Sequence, residues 1–170
     1  MTIDMKMAAV FARSKVLVVD DEFYMRKVVR TLLMSIGVGT VYEAPDGLTG
    51  LEQIRRYAPD VVIVDWKMPG LDGPGLVRLV RSPSTFCYPN VPIIMLTGHS
   101  ERSRVIEAAR LGVNEFLLKP VSSKALEERL VAVLAHPRPI VQTADYYGPE
   151  PRKFMQSIHA DTDGEIAMID

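Results

Sequence analysis

Two hydrophobic rhythms alternate along the chain. Nearly unbroken apolar runs occupy 16–19 (VLVV), 61–64 (VVIV) and 93–96 (IIML). Such runs read as strands buried on both faces, the kind found in parallel sheets. The full strands are expected over 15–21, 61–65 and 91–97, with shorter ones at 40–44 and 115–118. Between them the apolar positions repeat at helical spacing. Met25, Val28, Val29, Leu32, Leu33 and Ile36 share one face of a helix over 23–36, which Gly37 and Gly39 end. Leu48, Leu51 and Ile54 mark a second helix, capped by Asp46 and closed by Pro59-Asp60. A third covers 73–81. The fourth, 103–111, turns Val105, Ile106, Ala109 and Leu111 inward and ends at Gly112. The last starts at a Ser122 or Ser123 cap and carries Leu126, Leu130, Val133 and Leu134. Pro69-Gly70 is a turn, 82–90 a loop rich in breakers, and Pro92 suits the first residues of its strand.

Five strand–helix units in strict alternation predict an α/β domain with a parallel sheet covered by helices on both faces. Right-handed crossovers leave few topologies. The doubly wound, flavodoxin-like order 2-1-3-4-5 is the expectation for five strands. No internal repeat of the solenoid kind is present.

Composition narrows the class without naming a function. The 170 residues are 48% hydrophobic and 24% charged, enough for one domain with an appendage. The single cysteine, Cys87, forms no disulfide within the chain, which fits a reducing, cytoplasmic setting. Net charge is -1 and no basic stripe is visible, which argues against a nucleic-acid partner. No apolar run is long enough to span a bilayer. Residues 1–14 are expected to be a flexible leader or a short extra helix. The domain proper is expected over 15–135. From His136 the character changes, and 136–170 reads as a Pro-rich, then acidic extension. Pro137, Pro139, Pro149 and Pro151 should break any regular element there. Tyr146, Tyr147, Phe154 and Met155 are residues that could pack back on the domain or meet a partner.

Chemistry concentrates at one edge of the expected sheet. Strands one, three, four and five end in Asp20-Asp21, Asp65, Thr97 and Lys119. The carboxyl ends of strands are where open α/β sheets bind ligands. One aspartate after a strand is usually a cap, one threonine is usually strand propensity, and a Lys-Pro pair is usually loop. All of them at carboxyl ends, and none at amino ends, is another matter. Three clustered carboxylates repel and raise one another's pKa. A hard divalent cation such as Mg²⁺ resolves the conflict. Lys119 supplies a point charge and Thr97 a hydroxyl suited to phosphoryl oxygens. The set looks built to hold a phosphoryl group on Asp65.

Val18-Val-Asp-Asp21, Asp65-Trp-Lys-Met-Pro69, Thr97-Gly98 and Lys119-Pro120 resemble the motifs of bacterial response-regulator receiver domains, from about Lys15 to Leu134. Asp21-Glu-Phe-Tyr-Met25-Arg26 is most similar to the single-domain chemotaxis type. The resemblance implies that Asp65 accepts phosphoryl from a histidine kinase or histidine phosphotransfer protein. It implies that Asp21 and Asp65 bind Mg²⁺ directly, that Asp20 holds it through water, and that the main-chain carbonyl of Lys67 completes the protein ligands. Thr97 and Lys119 would grip the phosphoryl group. Phe116 stands at the aromatic switch position and would reshape the face of helix four, strand five and helix five. It lacks the hydroxyl of the tyrosine found in many members. Lys67 and His99, two residues beyond Asp65 and Thr97, stand where side chains influence attack by water on the phosphoryl group.

The expected job is that of a stand-alone response regulator, a signalling protein that catalyses only its own phosphorylation and dephosphorylation. It would bind an unidentified protein target when phosphorylated. A phosphorelay intermediate or phosphate sink is the alternative. A flavin protein of the same fold would need a hydroxyl- and glycine-rich loop where Asp20-Asp21 stands. An aspartate-nucleophile phosphatase would need an acid where Lys67 stands. The stretch 138–153 is also similar to tails of some alphaproteobacterial receivers, which suggests that Tyr146, Tyr147 and Phe154 dock it.

Overall fold

The computed structural model describes residues 5–98 and 102–152. Five parallel strands form the sheet: β1 (Lys15–Val19), β2 (Thr40–Ala44), β3 (Val61–Asp65), β4 (Ile93–Thr97) and β5 (Glu115–Leu118). Their order is β2-β1-β3-β4-β5, as expected. Every residue of β3 and β4 is buried, which explains why neither run alternates with polar residues.

The strands still sort their side chains by parity. Leu17, Val19, Val62, Val64, Ile93 and Met95 face one layer, made by α3 (Gly47–Tyr57), α4 (Gly73–Val80) and α5 (Arg102–Leu111). Val16, Val18, Val61, Ile63, Ile94, Leu96 and Leu117 face the other, made by α1 (Met5–Arg13), α2 (Phe23–Ile36) and α6 (Ser123–Ala135). Asp46 caps α3 by accepting from the Thr49 N–H at 2.7 Å, and Ser122 is the cap of α6. Gly37 ends α2 at φ +107, a left-handed conformation that favours glycine.

Several expectations need correction. Of the two readings of the leader, the structure has the helix: Phe11 of α1 is fully buried and accepts the Gly39 N–H at 3.0 Å. Strand one stops at Val19, so Asp20 and Asp21 lie just beyond it, and β4 begins at Ile93, two residues later than expected. Leu48 points outward and is 70% exposed; Gly50, packed on Val19, takes its place on the inner face. In α5 the buried residues are Ile106 and Ala108, while Val105, Ala109 and Leu111 are only half-buried.

The largest correction concerns the extension. Its prolines do not prevent regular structure. β6 (Ile140–Gln142) and β7 (Tyr147–Pro149) pair as an antiparallel hairpin. Pro149 sits at the hairpin's end, where Glu150 supplies the bond to the Pro139 carbonyl instead. The hairpin packs on the amino edge of the sheet. Arg138 donates to the Asn114 carbonyl, and the Arg152 guanidinium pairs with the buried Glu115 carboxylate. A Cβ on Gly112 would lie 2.9 Å from the Tyr147 carbonyl and 3.0 Å from Arg81 Nε. Arg81 beneath is 6% exposed and donates to three neutral acceptors: the Gly112 carbonyl, the Pro89 carbonyl and Asn114 Oδ1. Tyr146 and Tyr147 thus pack back as anticipated; Phe154 and Met155 lie outside the described residues.

Candidate functional site

Register brings the strand ends level. Val19 pairs with Val64, so the next residues along, Asp20 and Asp65, share one height. Asp65 pairs with Leu96 and Thr97 with Leu118, which sets Thr97 one step further out on β4 and Lys119 two steps out, just past the end of β5. The Lys119 N–H donates to the Thr97 carbonyl at 2.9 Å, and the Lys119–Pro120 peptide is cis. Lys119 Nζ reaches across β4 to Asp65 Oδ1 at 2.8 Å. The Trp66 N–H donates to the same oxygen at 2.9 Å. Behind the site the chain turns back tightly: a Cβ on Gly73 would fall 2.5 Å from the Asp65 carbonyl oxygen.

Asp20 is fully buried, Asp65 nearly so, and Asp21 is exposed. Asp20 Oδ1 accepts the Glu22 N–H at 2.9 Å, and the Arg26 guanidinium donates to the Asp20 carbonyl. One oxygen from each of Asp20, Asp21 and Asp65 lies within 4.8 Å of the others. The second Asp20 oxygen and the Thr97 hydroxyl are buried with no hydrogen-bond partner. Native proteins rarely leave buried polar atoms unpaired unless function requires it.

Burial pushes the Asp20 carboxyl up to about 6; the Glu22 N–H opposes this and the charge of Asp65 adds to it. Burial also holds the Asp65 carboxyl above its ordinary value, outweighing the hydrogen bond and charge of Lys119. For Lys119, burial works downward, but the hydrogen bond and charge of Asp65 win and raise it. Burial and the neighbouring carboxylates therefore both work against the charged forms of Asp20 and Asp65, and Lys119 does not offset them.

A cleft of about 670 Å³ opens over this cluster. Asp21, Asp65, Lys67 and Lys119 line it, together with Glu22, Trp66, Asp72 and Arg104. Asp20 and Thr97 lie beneath. Lys67 is exposed at the rim. Phe116 is half-buried against the core layer of α3 and α4, and its carbonyl accepts from Arg129 Nε at 2.9 Å. His99 lies outside the described residues. Arg104 and Trp66 were not singled out from sequence. Trp66 adjoins Asp65 and could have been; Arg104 reaches the cleft only through the path of α5.

Known proteins match this arrangement. A family model of the response regulator receiver domain matches residues 16–131. The chain belongs to the response regulator receiver family. This receiver is similar to the chemotaxis protein CheY-3 of Vibrio cholerae, 38% identical over 116 residues, which are 68% of this chain and 88% of the relative. It is 40% identical over 121 residues to the chemotaxis protein CheY1 of Helicobacter pylori, covering 71% and 96% of the two chains. Among solved structures, Vibrio cholerae CheY4 superposes with a TM-score of 0.65 at 34% identity, over 71% of this chain and 98% of that one. A receiver domain protein from Clostridium thermocellum gives 0.65 at 31% identity, covering 72% and 94%. The matched family segment ends before the hairpin of β6 and β7 begins. The acidic pocket is of the kind in which receivers hold Mg²⁺. The unpaired Asp20 oxygen and the three convergent carboxylates fit such an ion. No helix among the described residues is long and apolar enough to cross a membrane.

Proposed function

We propose that this chain works as a stand-alone, cytoplasmic response regulator whose Asp65 takes a phosphoryl group from a histidine kinase or histidine phosphotransfer protein. The observation that carries this reading is the Asp65–Lys119 pair beside Asp20 and Asp21, with the Thr97 hydroxyl left unpartnered. Mg²⁺ would be held by Asp21 and Asp65, by Asp20 through water, and by the Lys67 main-chain carbonyl. When bound, it would offset the carboxylates and neutralise charge on the phosphoryl oxygens.

The chain's own residues would do the rest. An Asp65 carboxylate oxygen attacks phosphorus, and the donor leaves with the electrons of its bond. Lys119 shifts from the carboxylate to the new phosphoryl oxygens. Thr97, whose hydroxyl lacks a partner, donates to one of them. Phe116 turns inward as Thr97 moves, and the face of α5, β5 and α6 changes shape for a downstream protein. Because α1 is an extra helix, this is the face described above as helix four, strand five and helix five. The Lys67 side chain and His99 would tune attack by water on the phosphoryl group. The chain acts on no substrate beyond its own phosphorylation, and neither nucleic acid nor a membrane is an expected partner.

The test is phosphorylation with a small phosphodonor and Mg²⁺, read by intact mass. The native chain should gain one phosphoryl group and Asp65→Asn should gain none. Equal gain in both would refute the assignment.

A further inference from the structure

Among the described residues three cations line the cleft, and their surroundings differ. Lys119 is committed to Asp65. Lys67 is exposed on the rim. Arg104, on α5, is half-buried, and its guanidinium carbon lies 5.5 Å from the centroid of the Trp66 ring. That ring is a fixed platform. Trp66 is 8% exposed and its side chain belongs to the buried core layer, while its main-chain N–H donates to both Asp65 Oδ1 at 2.9 Å and the Leu96 carbonyl at 3.2 Å. Arg104 therefore lies against the residue next to Asp65 and lines the same cleft, through which a phosphodonor must enter. A guanidinium keeps its charge at any working pH and offers planar paired donors suited to phosphoryl oxygens.

An incoming donor meets a hostile field. Asp21, Glu22, Asp65 and Asp72 all line the cleft, with Asp20 just below. The repulsion scales with the charge of the donor, so a dianion suffers about twice what a monoanion does. We propose that Arg104 is the residue that lets doubly charged phosphoryl donors reach Asp65, and so sets the choice between dianionic and monoanionic donors. This rests on Asp65 being the phosphoacceptor.

Acetyl phosphate and phosphoramidate separate the charge from the chemistry. Near neutral pH acetyl phosphate is a dianion; an Asp65 oxygen bonds to phosphorus and acetate departs with the P–O electron pair. Phosphoramidate carries one negative charge less; its P–N bond breaks and the already protonated nitrogen leaves as ammonia. The full chain, Arg104→Gln, Arg104→Lys and Asp65→Asn are compared with both donors at one Mg²⁺ concentration, with labelling read by intact mass. Arg104→Gln should slow acetyl phosphate about 5- to 10-fold and phosphoramidate less than about twofold. Arg104→Lys should recover most of the loss, and added salt should shrink it. Equal slowing of both donors would mean that Arg104 only supports α5, and no slowing would mean that it plays no part; either overturns the proposal. If Asp65→Asn labels like the native chain, the phosphoacceptor reading itself fails, which is a separate outcome.

Discussion

Lys119 Nζ stands 2.8 Å from Asp65 Oδ1, so the ends of β5 and β3 are joined by one ion pair that passes over β4. The Asp65 carboxyl is already raised by burial, and Lys119 is the chief influence opposing that rise. Removing the ammonium should raise it further. Phosphorylation needs the carboxylate, so the acid limb of its pH–rate profile should move to higher pH in Lys119→Met. The profile can be followed with phosphoramidate in saturating Mg²⁺. An unmoved acid limb would mean that the pair does not tune the nucleophile.

The acidic cluster should also set how stability depends on pH when no metal is bound. Asp20 has a folded pKa of about 6, above its ordinary value of 3.8. A group raised on folding favours the fold fully below its unfolded pKa, and that contribution is lost as pH rises through the folded one. Asp65 acts in the same direction. Glu43 opposes it only at the acid end: burial raises its carboxyl, but Lys27, Arg30 and Arg26 outweigh that and hold it low. In EDTA, stability should therefore fall between about pH 4 and pH 6.5, by roughly 1–3 kcal/mol. Asp20→Asn should flatten the curve, and Mg²⁺ should raise Tm more at pH 7 than at pH 5. Thermal unfolding across this range checks all three.

Thr97 offers a contrast between stability and response. Its hydroxyl is buried and unpartnered, so Thr97→Val removes a polar atom that bonds nothing. The unphosphorylated chain should keep its stability or gain up to about 1 kcal/mol in urea unfolding. Partner binding by the phosphorylated form should weaken at the same time. A variant destabilised by several kcal/mol would show that the hydroxyl has a role in the resting fold.

The hairpin should behave as part of the domain. Glu115 is 6% exposed, and its carboxylate meets Arg152 and, at 4.0 Å, Arg129. Arg152→Ala leaves this buried charge with Arg129 at 4.0 Å and the nearby charge of Arg138, and should cost about 1–3 kcal/mol. Deleting 137–170 also uncovers Arg81 and should cost more, about 2–4 kcal/mol. Urea unfolding of the two variants is the measurement. Unchanged midpoints would show that the extension does not brace the fold.

Much of this molecule was legible in its sequence because the relevant signals are local. The buried runs of β3 and β4 needed no partner to be recognised, and the edge they share follows from parallel topology. Asp20, Asp21, Asp65, Thr97 and Lys119 converge because register and chain direction are all that their convergence requires. What escaped depends on packing between distant segments. Leu48 looked like part of a stripe, but its helix turns small Gly50 toward Val19. Arg104 carries no motif and meets Trp66 only through the placement of α5. The hairpin was hidden because its strands are three residues long and its prolines mask the pattern. Its stability comes from Arg138 and Arg152 reaching the edge of β5, which composition cannot show.

The cover over Arg81 has a consequence for how the chain matures. Arg81 is made first, and Tyr146 and Tyr147, which lie over it, come about sixty-five residues later. A nascent chain that has already built β1 to β5 would still hold a guanidinium at an unsealed edge. Domains tend to fold from the amino end as they are made. Here the hairpin is made after the strands it covers, so the amino edge of the sheet stays open to solvent, or to chaperones, until residues 140–152 have been made.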